Sequence, residues 1–229
     1  MAGIGGGVFM VPIFYLALGM PINQAVGTSK AVIVVIAAIS TATYLSRGRV
    51  DLKTGTILMA TTIPGSYLGA YLVSLVDPTI LEYIVAAFIL WYSARLIYRA
   101  LRQHPKMPER RRRSPVLVAL AGIIVGLIAG LTGTGGGALL VPLMVSGLGM
   151  SIHEAVATSM YSMSMAAVAA AVRHQMSGEI VYSVAIPFAL GAIIGAMLGP
   201  RIALSMNARR LRIVIGIVLA IVGVRMLLG

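Results

Sequence analysis

Two glycine runs carry the most suggestive chemistry in the chain. Gly5-Gly6-Gly7 and Gly135-Gly136-Gly137 each interrupt an apolar stretch, and each is followed by Val-Pro, at Val11-Pro12 and Val141-Pro142. Glycine runs disfavour continuous helix and permit left-handed backbone. A helix that restarts after such a run presents free N–H groups and the positive end of its dipole. That end suits an anion. Without a ligand, the same glycines would serve tight packing.

Hydroxyls recur at a fixed distance from these runs. Thr28-Ser29 and Thr158-Ser159 each begin 21 residues after the last glycine of their run. A hydroxyl can donate to an oxyanion without bringing charge; it can equally cap or back-bond a helix. Lys30 follows directly, and Met160 holds the matching place. An ionisable residue inside an apolar helix costs a few kcal/mol and is a functional candidate by default. A lysine favours an anion there, unless its stem carries the ammonium to the membrane interface. His153 and Glu154, with Asn23 and Gln24 in the first copy, stand at a helix entry. They could relay protons near neutral pH or only supply entry polarity. Arg173 and His174, at a helix end, read as interfacial. Three scattered histidines and no cysteine argue against a metal site. No nucleophile–base pair, P-loop or nucleotide fingerprint is present, so neither a cofactor nor an enzymatic activity is expected.

The elements that hold these residues are apolar and long. Of 229 residues, 59% are hydrophobic and 10% charged. A soluble domain could not cover its surface with so few charges, and a disordered chain needs the opposite balance. Apolar stretches run 8–20, 23–46, 54–76, 79–101, 116–131, 138–149, 154–172, 181–205 and 211–228, most near the roughly 20 residues a spanning helix requires. The fold expected is an all-α polytopic membrane protein. Lys and Arg number 18 against 6 acidic residues, a net charge of +12. Eight of the cations (Arg95, Arg99, Arg102, Lys106 and Arg110 to Arg113) cluster between apolar segments. This reads as a cytoplasmic loop under the positive-inside rule, with anionic-lipid contact a further use, rather than as a nucleic-acid surface. The start of the chain has no basic region typical of a cleavable signal peptide.

The chain also repeats itself. GIGGGVFMVP at 3–12 lies on GTGGGALLVP at 133–142, and GMPINQAVGTS at 19–29 on GMSIHEAVATS at 149–159. Of 22 ungapped identities between 1–99 and 131–229, 14 fall between residues 3 and 29, so the match is concentrated around the glycine runs. This gives a first transmembrane repeat at 1–101, a basic cytoplasmic linker at 102–115 and a second repeat at 116–229. The second repeat has an apolar lead-in at 116–131. The first has no counterpart, either because that half-helix is missing from this copy or because the sequence is a shortened one.

Loop charges set the orientation. The loop at 47–53 carries Arg47, Arg49 and Lys53, whereas its partner at 173–180 carries Arg173 and Glu179. The junction at 77–82 carries Asp77 and Glu82, whereas 206–212 carries Arg209, Arg210 and Arg212. The bias swaps between copies, so the repeats are read as inverted, each a glycine-broken segment plus three transmembrane helices. A parallel arrangement would need 116–149 to be one long kinked helix. Gly122, Gly126 and Gly130, Gly191, Gly195 and Gly199, and Gly65 and Gly69 recur every four residues, the spacing of close helix–helix packing.

The doubled G-x-G-G-G-x-x-x-V-P, each copy followed by A-V-x-T-S at 25–29 and 155–159, resembles the TauE/SafE family, the sulfite exporter or toluene sulfonate uptake permease group. The resemblance covers essentially all of the chain but the linker. It implies a multi-pass permease of the cell (plasma or inner) membrane for small, mostly sulfur-containing anions such as sulfite or organosulfonates, often exported. Family members usually carry an apolar lead-in before the first glycine run as well. The expectation is a secondary transporter working by alternating access, with the anion held by the glycine runs, Thr28, Ser29, Lys30, Thr158 and Ser159. A proton is a possible coupling ion, through His153 or Glu154. A passive anion channel and a non-transporting membrane scaffold are the alternatives.

Overall fold

The computed structural model describes residues 7–101, 114–205 and 208–228, with position 99 and residues 195–205 and 208–212 described through their backbone only. Gly5, Gly6 and residues 102–113 of the expected linker lie outside the described residues. Everything regular among the described residues is helical: α1 (Gly7–Pro12), α2 (Ile22–Ser46), α3 (Leu52–Val73), α4 (Pro78–Leu101), α5 (Pro115–Thr132), α6 (Gly137–Leu148), α7 (Ile152–Met176), α8 (Tyr182–Ser205) and α9 (Ala208–Leu228). Helices α2, α3, α4, α5 and α7 are each long and apolar enough to cross a membrane.

Local chemistry sets the helix ends. Asp51 and Ser151 cap α3 and α7 by accepting from the N–H groups of Thr54 and Glu154, each at 3.2 Å. Asp77 does the same for α4, accepting from the Thr79 N–H at 2.8 Å with Pro78 in the first turn. That hydrogen bond holds the Asp77 carboxyl below the usual carboxylate range. The first half-helix, expected within the apolar stretch 8–20, is not one regular α-helix. After Pro12 it widens into a π turn, Ile13–Ala17. Proline has no N–H to give and crowds the preceding turn, a common origin of such bulges. Pro142 occupies the matching place, yet α6 runs on to Leu148.

The expected close packing is real on one side. Helices α3 and α5 interlock through their glycines: Gly65 and Gly69 sit against the backbone of Ile123, Leu127 and Gly130, and Gly126 and Gly130 against that of Thr62 and Ser66. A Cβ on Gly126 would stand 2.5 Å from the Thr62 carbonyl oxygen. Among the described residues, Gly191 on α8 has no such neighbour; a Cβ there would meet nothing within 4 Å. Spacing alone therefore misread Gly191, because the motif needs a helix to receive it. The surroundings of Gly195 and Gly199 lie outside the described residues.

The buried side chains fall into two cores. One joins α1, α2, α4, α8 and α9, through residues such as Val8, Phe14, Val32, Leu81, Ala185 and Leu219, and takes in Val73, Leu131 and Ala138 from α3, α5 and α6 where the cores meet. The other joins α3, α5, α6 and α7, through Leu58, Val125, Leu140 and Met163. Helices α2 and α7 meet along the seam, and they run antiparallel. Gly27, near the start of α2, lies against Glu179, just beyond the end of α7. Asp51, just beyond the end of α2, donates its N–H to Thr158 near the start of α7, at 3.0 Å.

Candidate functional site

The site is built where α5 stops and α6 begins. Thr132 ends α5, and its hydroxyl donates back to the Ile128 carbonyl at 2.7 Å and lies 2.9 Å from the Thr134 hydroxyl. Gly133, Gly135 and Gly136 then take left-handed conformations, with φ of 69°, 77° and 70°. Such backbone disfavours any residue with a Cβ. α6 restarts at Gly137, and its first internal bonds come from the N–H groups of Leu139 and Leu140 to the Gly136 carbonyl. Among the described residues, no carbonyl or side chain accepts from the N–H groups of Gly135 to Ala138. Irregular backbone of this kind is tolerated at membrane depth only when protein buries it. Gly133 to Ala138 are all buried.

The first copy meets this break head on. A Cβ on Gly7 would stand 2.5 Å from the Gly133 carbonyl oxygen and 2.9 Å from the Thr134 backbone, so only glycine fits. Ser29 closes the junction: its hydroxyl lies 2.7 Å from the Val26 carbonyl and 3.0 Å from that of Gly133. Gly5 and Gly6 lie outside the described residues.

The remaining candidates divide. Gly135, Gly137 and Ser159 line a small pocket together with Ile33, Ile36, Ala37, Met160 and Met163. It has room for about one water molecule. Gly136 sits beside it, against Met163. Ser159 also donates to the Val156 carbonyl at 2.8 Å. Thr28 and Thr158 are buried and serve as fasteners: Thr28 accepts the Val181 N–H at 3.0 Å, and Thr158 accepts that of Asp51. Each hydroxyl thus satisfies an orphan amide at the entry to a helix of the opposite half, and the two bonds correspond residue for residue under the shift that aligns Gly3 with Gly133. His153 is exposed and Glu154 half-buried in the first turn of α7, away from the pocket lining.

Lys30 is fully buried, and its Nζ has no hydrogen-bond partner among the described residues. The stem does not carry the ammonium to an interface. Sequence reasoning missed one feature nearby. His174 is not interfacial: it is 0% accessible, its Nδ1 lies 2.6 Å from Oε2 of the equally buried Glu179, and its Nε2 has no partner. The five-residue spacing across a helix end was the available signal, masked by the polar break in which Glu179 lies. Arg173 is the residue that turns outward, to Ser177 and Ser74 and over the Tyr71 ring at 4.8 Å. Among the described residues, no group of three or more His, Cys, Asp or Glu could hold a metal ion.

Comparison with known proteins places this architecture. The family model described as Sulfite exporter TauE/SafE matches residues 1–226. A probable membrane transporter protein of Bacillus subtilis (strain 168), YunE, is 28% identical over 250 residues, covering 99% of this chain and 91% of its own length. One from Methanocaldococcus jannaschii is 26% identical over 242 residues, covering 99% and 89%. One from Xylella fastidiosa (strain Temecula1) is 34% identical over 118 residues, covering 51% and 45%. No solved structure matches the chain. With its apolar spanning helices, its glycine-broken segment at the seam and a family match over nearly its whole length, the chain belongs to the sulfite exporter TauE/SafE family of multi-pass cell-membrane transporters.

Proposed function

We propose that the chain is a secondary transporter that exports small sulfur-containing oxyanions or organosulfonates, sulfite among them, by alternating access. The observation that carries the reading is the buried, unpartnered Lys30 ammonium next to Ser29, whose hydroxyl touches the broken segment. An orphan cation in an apolar bundle is costly unless something negative visits it. The N–H groups of Gly135 to Ala138, without acceptors among the described residues, supply directional donors to the same guest. Paired broken segments of this kind hold substrates in other repeat transporters, and the antiparallel run of α2 against α7 supports inverted repeats.

The pocket favours a carrier over a channel. Its room for about one water is too small for an oxyanion, so the seam between the two cores must part to admit one. The two cores, rather than the two chain halves, are the bodies that would rock. Flux of radiolabelled sulfite into proteoliposomes tests the reading: a carrier saturates and shows counter-flow, a channel does neither. Purified protein that moves no sulfite or sulfonate at all would end it.

A further inference from the structure

We propose that Lys30, His174 and Glu179 form a proton site that fills together with the anion, one proton for each monovalent anion bound. The proposal rests on the anion reading of the broken segment. Three observations carry it. First, His174 and Glu179 are hydrogen-bonded at 2.6 Å in a place that water does not reach. Second, two nitrogens there have no partner in hydrogen-bond geometry, Lys30 Nζ and His174 Nε2, although the Gly130 backbone lies beside the His174 ring. Buried polar atoms without partners are rare in folded proteins and mark a place where something else binds. Third, the trio breaks the repeat. Under the shift that aligns the halves, Lys30, His174 and Glu179 fall on Met160, Tyr44 and Arg49. The fasteners Thr28 and Thr158 are duplicated, as scaffold residues should be. A buried lysine beside a His–Glu pair has no counterpart at the other end of the seam.

Among the described residues, the surroundings add no other charge. Gly27 packs against Glu179, and Lys30 is one turn along the same face of α2. Lys30 acts on His174 through space, and α5 contributes only backbone there, at Gly130. On α7 itself, Arg173 is engaged with Ser177 and with Ser74 and Tyr71 of α3. Tyr182 of α8 donates to Gln175.

Charge counting then fixes the linkage. In the state assigned to the free protein, Lys30 is cationic, Glu179 anionic and His174 neutral, so the trio carries no net charge. A monovalent anion beside Lys30 leaves one buried negative charge. A proton from solvent onto His174 Nε2, with Nδ1–H still donated to the Glu179 carboxylate, restores neutrality. Net charge is costly in this setting, so each guest raises affinity for the other by the same factor.

Methanesulfonate is the probe, because it is ionised throughout the range and neither takes nor gives a proton. Detergent-purified protein in weak buffer with an indicator dye should take up about one proton per anion bound, and affinity should fall about tenfold per pH unit once His174 is neutral in the free protein. H174Q should bind the anion with no proton uptake and no pH dependence. E179Q, whose trio is already cationic, should also bind without uptake; it serves where H174Q fails to fold. Thermal stabilisation of the wild type by methanesulfonate with no proton uptake overturns the proposal and leaves the anion site standing. Uptake that persists in H174Q or E179Q also overturns it. If neither methanesulfonate nor toluenesulfonate stabilises the protein, the anion site falls, and the proposal falls with it.

Discussion

Lys30 has the sharpest mutational signature. Lys30→Met installs the residue found at the matching position of the other half and removes a buried ammonium that has no partner. The fold should survive. A hydrogen bond to a charged group is worth about 1.5–3 kcal/mol, so sulfonate affinity should drop roughly 10- to 100-fold in a binding titration. Unchanged affinity would remove Lys30 from the site. The sequence made Lys30 conspicuous, since a lone charge stands out in an apolar run. It could not show which nitrogens lack partners or that Thr28 and Thr158 are tied to helix entries 153 and 107 residues distant. Nor could it bring His174 to Glu179, because both lie where a helix end and a polar break look like interface. Burial is a property of the packed bundle, and local composition does not encode it.

At the level of elements, glycines of identical spacing should behave oppositely. Gly126→Ala drives a methyl into the Thr62 carbonyl on the facing helix. Overpacking of this kind costs about 1–3 kcal/mol, and the melting temperature should fall. Gly191→Ala meets open space and gains up to about 1 kcal/mol of helix propensity, so it should melt at or above the wild-type temperature. Gly136→Ala combines a left-handed conformation, about 1–2 kcal/mol against a residue with a Cβ, with contact on Met163. It should lose transport more sharply than stability, measured as sulfite flux against melting temperature. Asp77 offers a pH readout. Its folded carboxyl lies below the usual range, so the stabilisation it gives is full above that range and drains away as pH falls through the folded value. Asp77→Asn should flatten that acid limb of a melting-temperature profile. Helix positions were largely legible, because apolar runs of spanning length leave few alternatives. The π turn after Pro12 was not, since the matching Pro142 sits in a helix that continues.

For the whole molecule, orientation and assembly are open to direct measurement. The chain has no cysteine, so single thiols can report on sidedness. Arg49→Cys, beyond the end of α2, and Met176→Cys, at the end of α7, are exposed positions. An impermeant thiol reagent should label them from opposite faces of the membrane, Arg49→Cys from the cytoplasm. Labelling from one face would refute inverted repeats. The two like segments around the glycine runs were plain in the sequence, but which helices join which core was not. A repeat predicts two equivalent units; it does not say that they will exchange partners. They do exchange: α3, all but its end at Val73, packs with α5, α6 and α7, whereas α8 and α9 cross the other way to complete the core around α1, α2 and α4. Each half therefore depends on its sibling for folding. Severing the gene between codons 101 and 115 should yield two polypeptides that are degraded when made singly and that reconstitute a working permease when produced in the same cell.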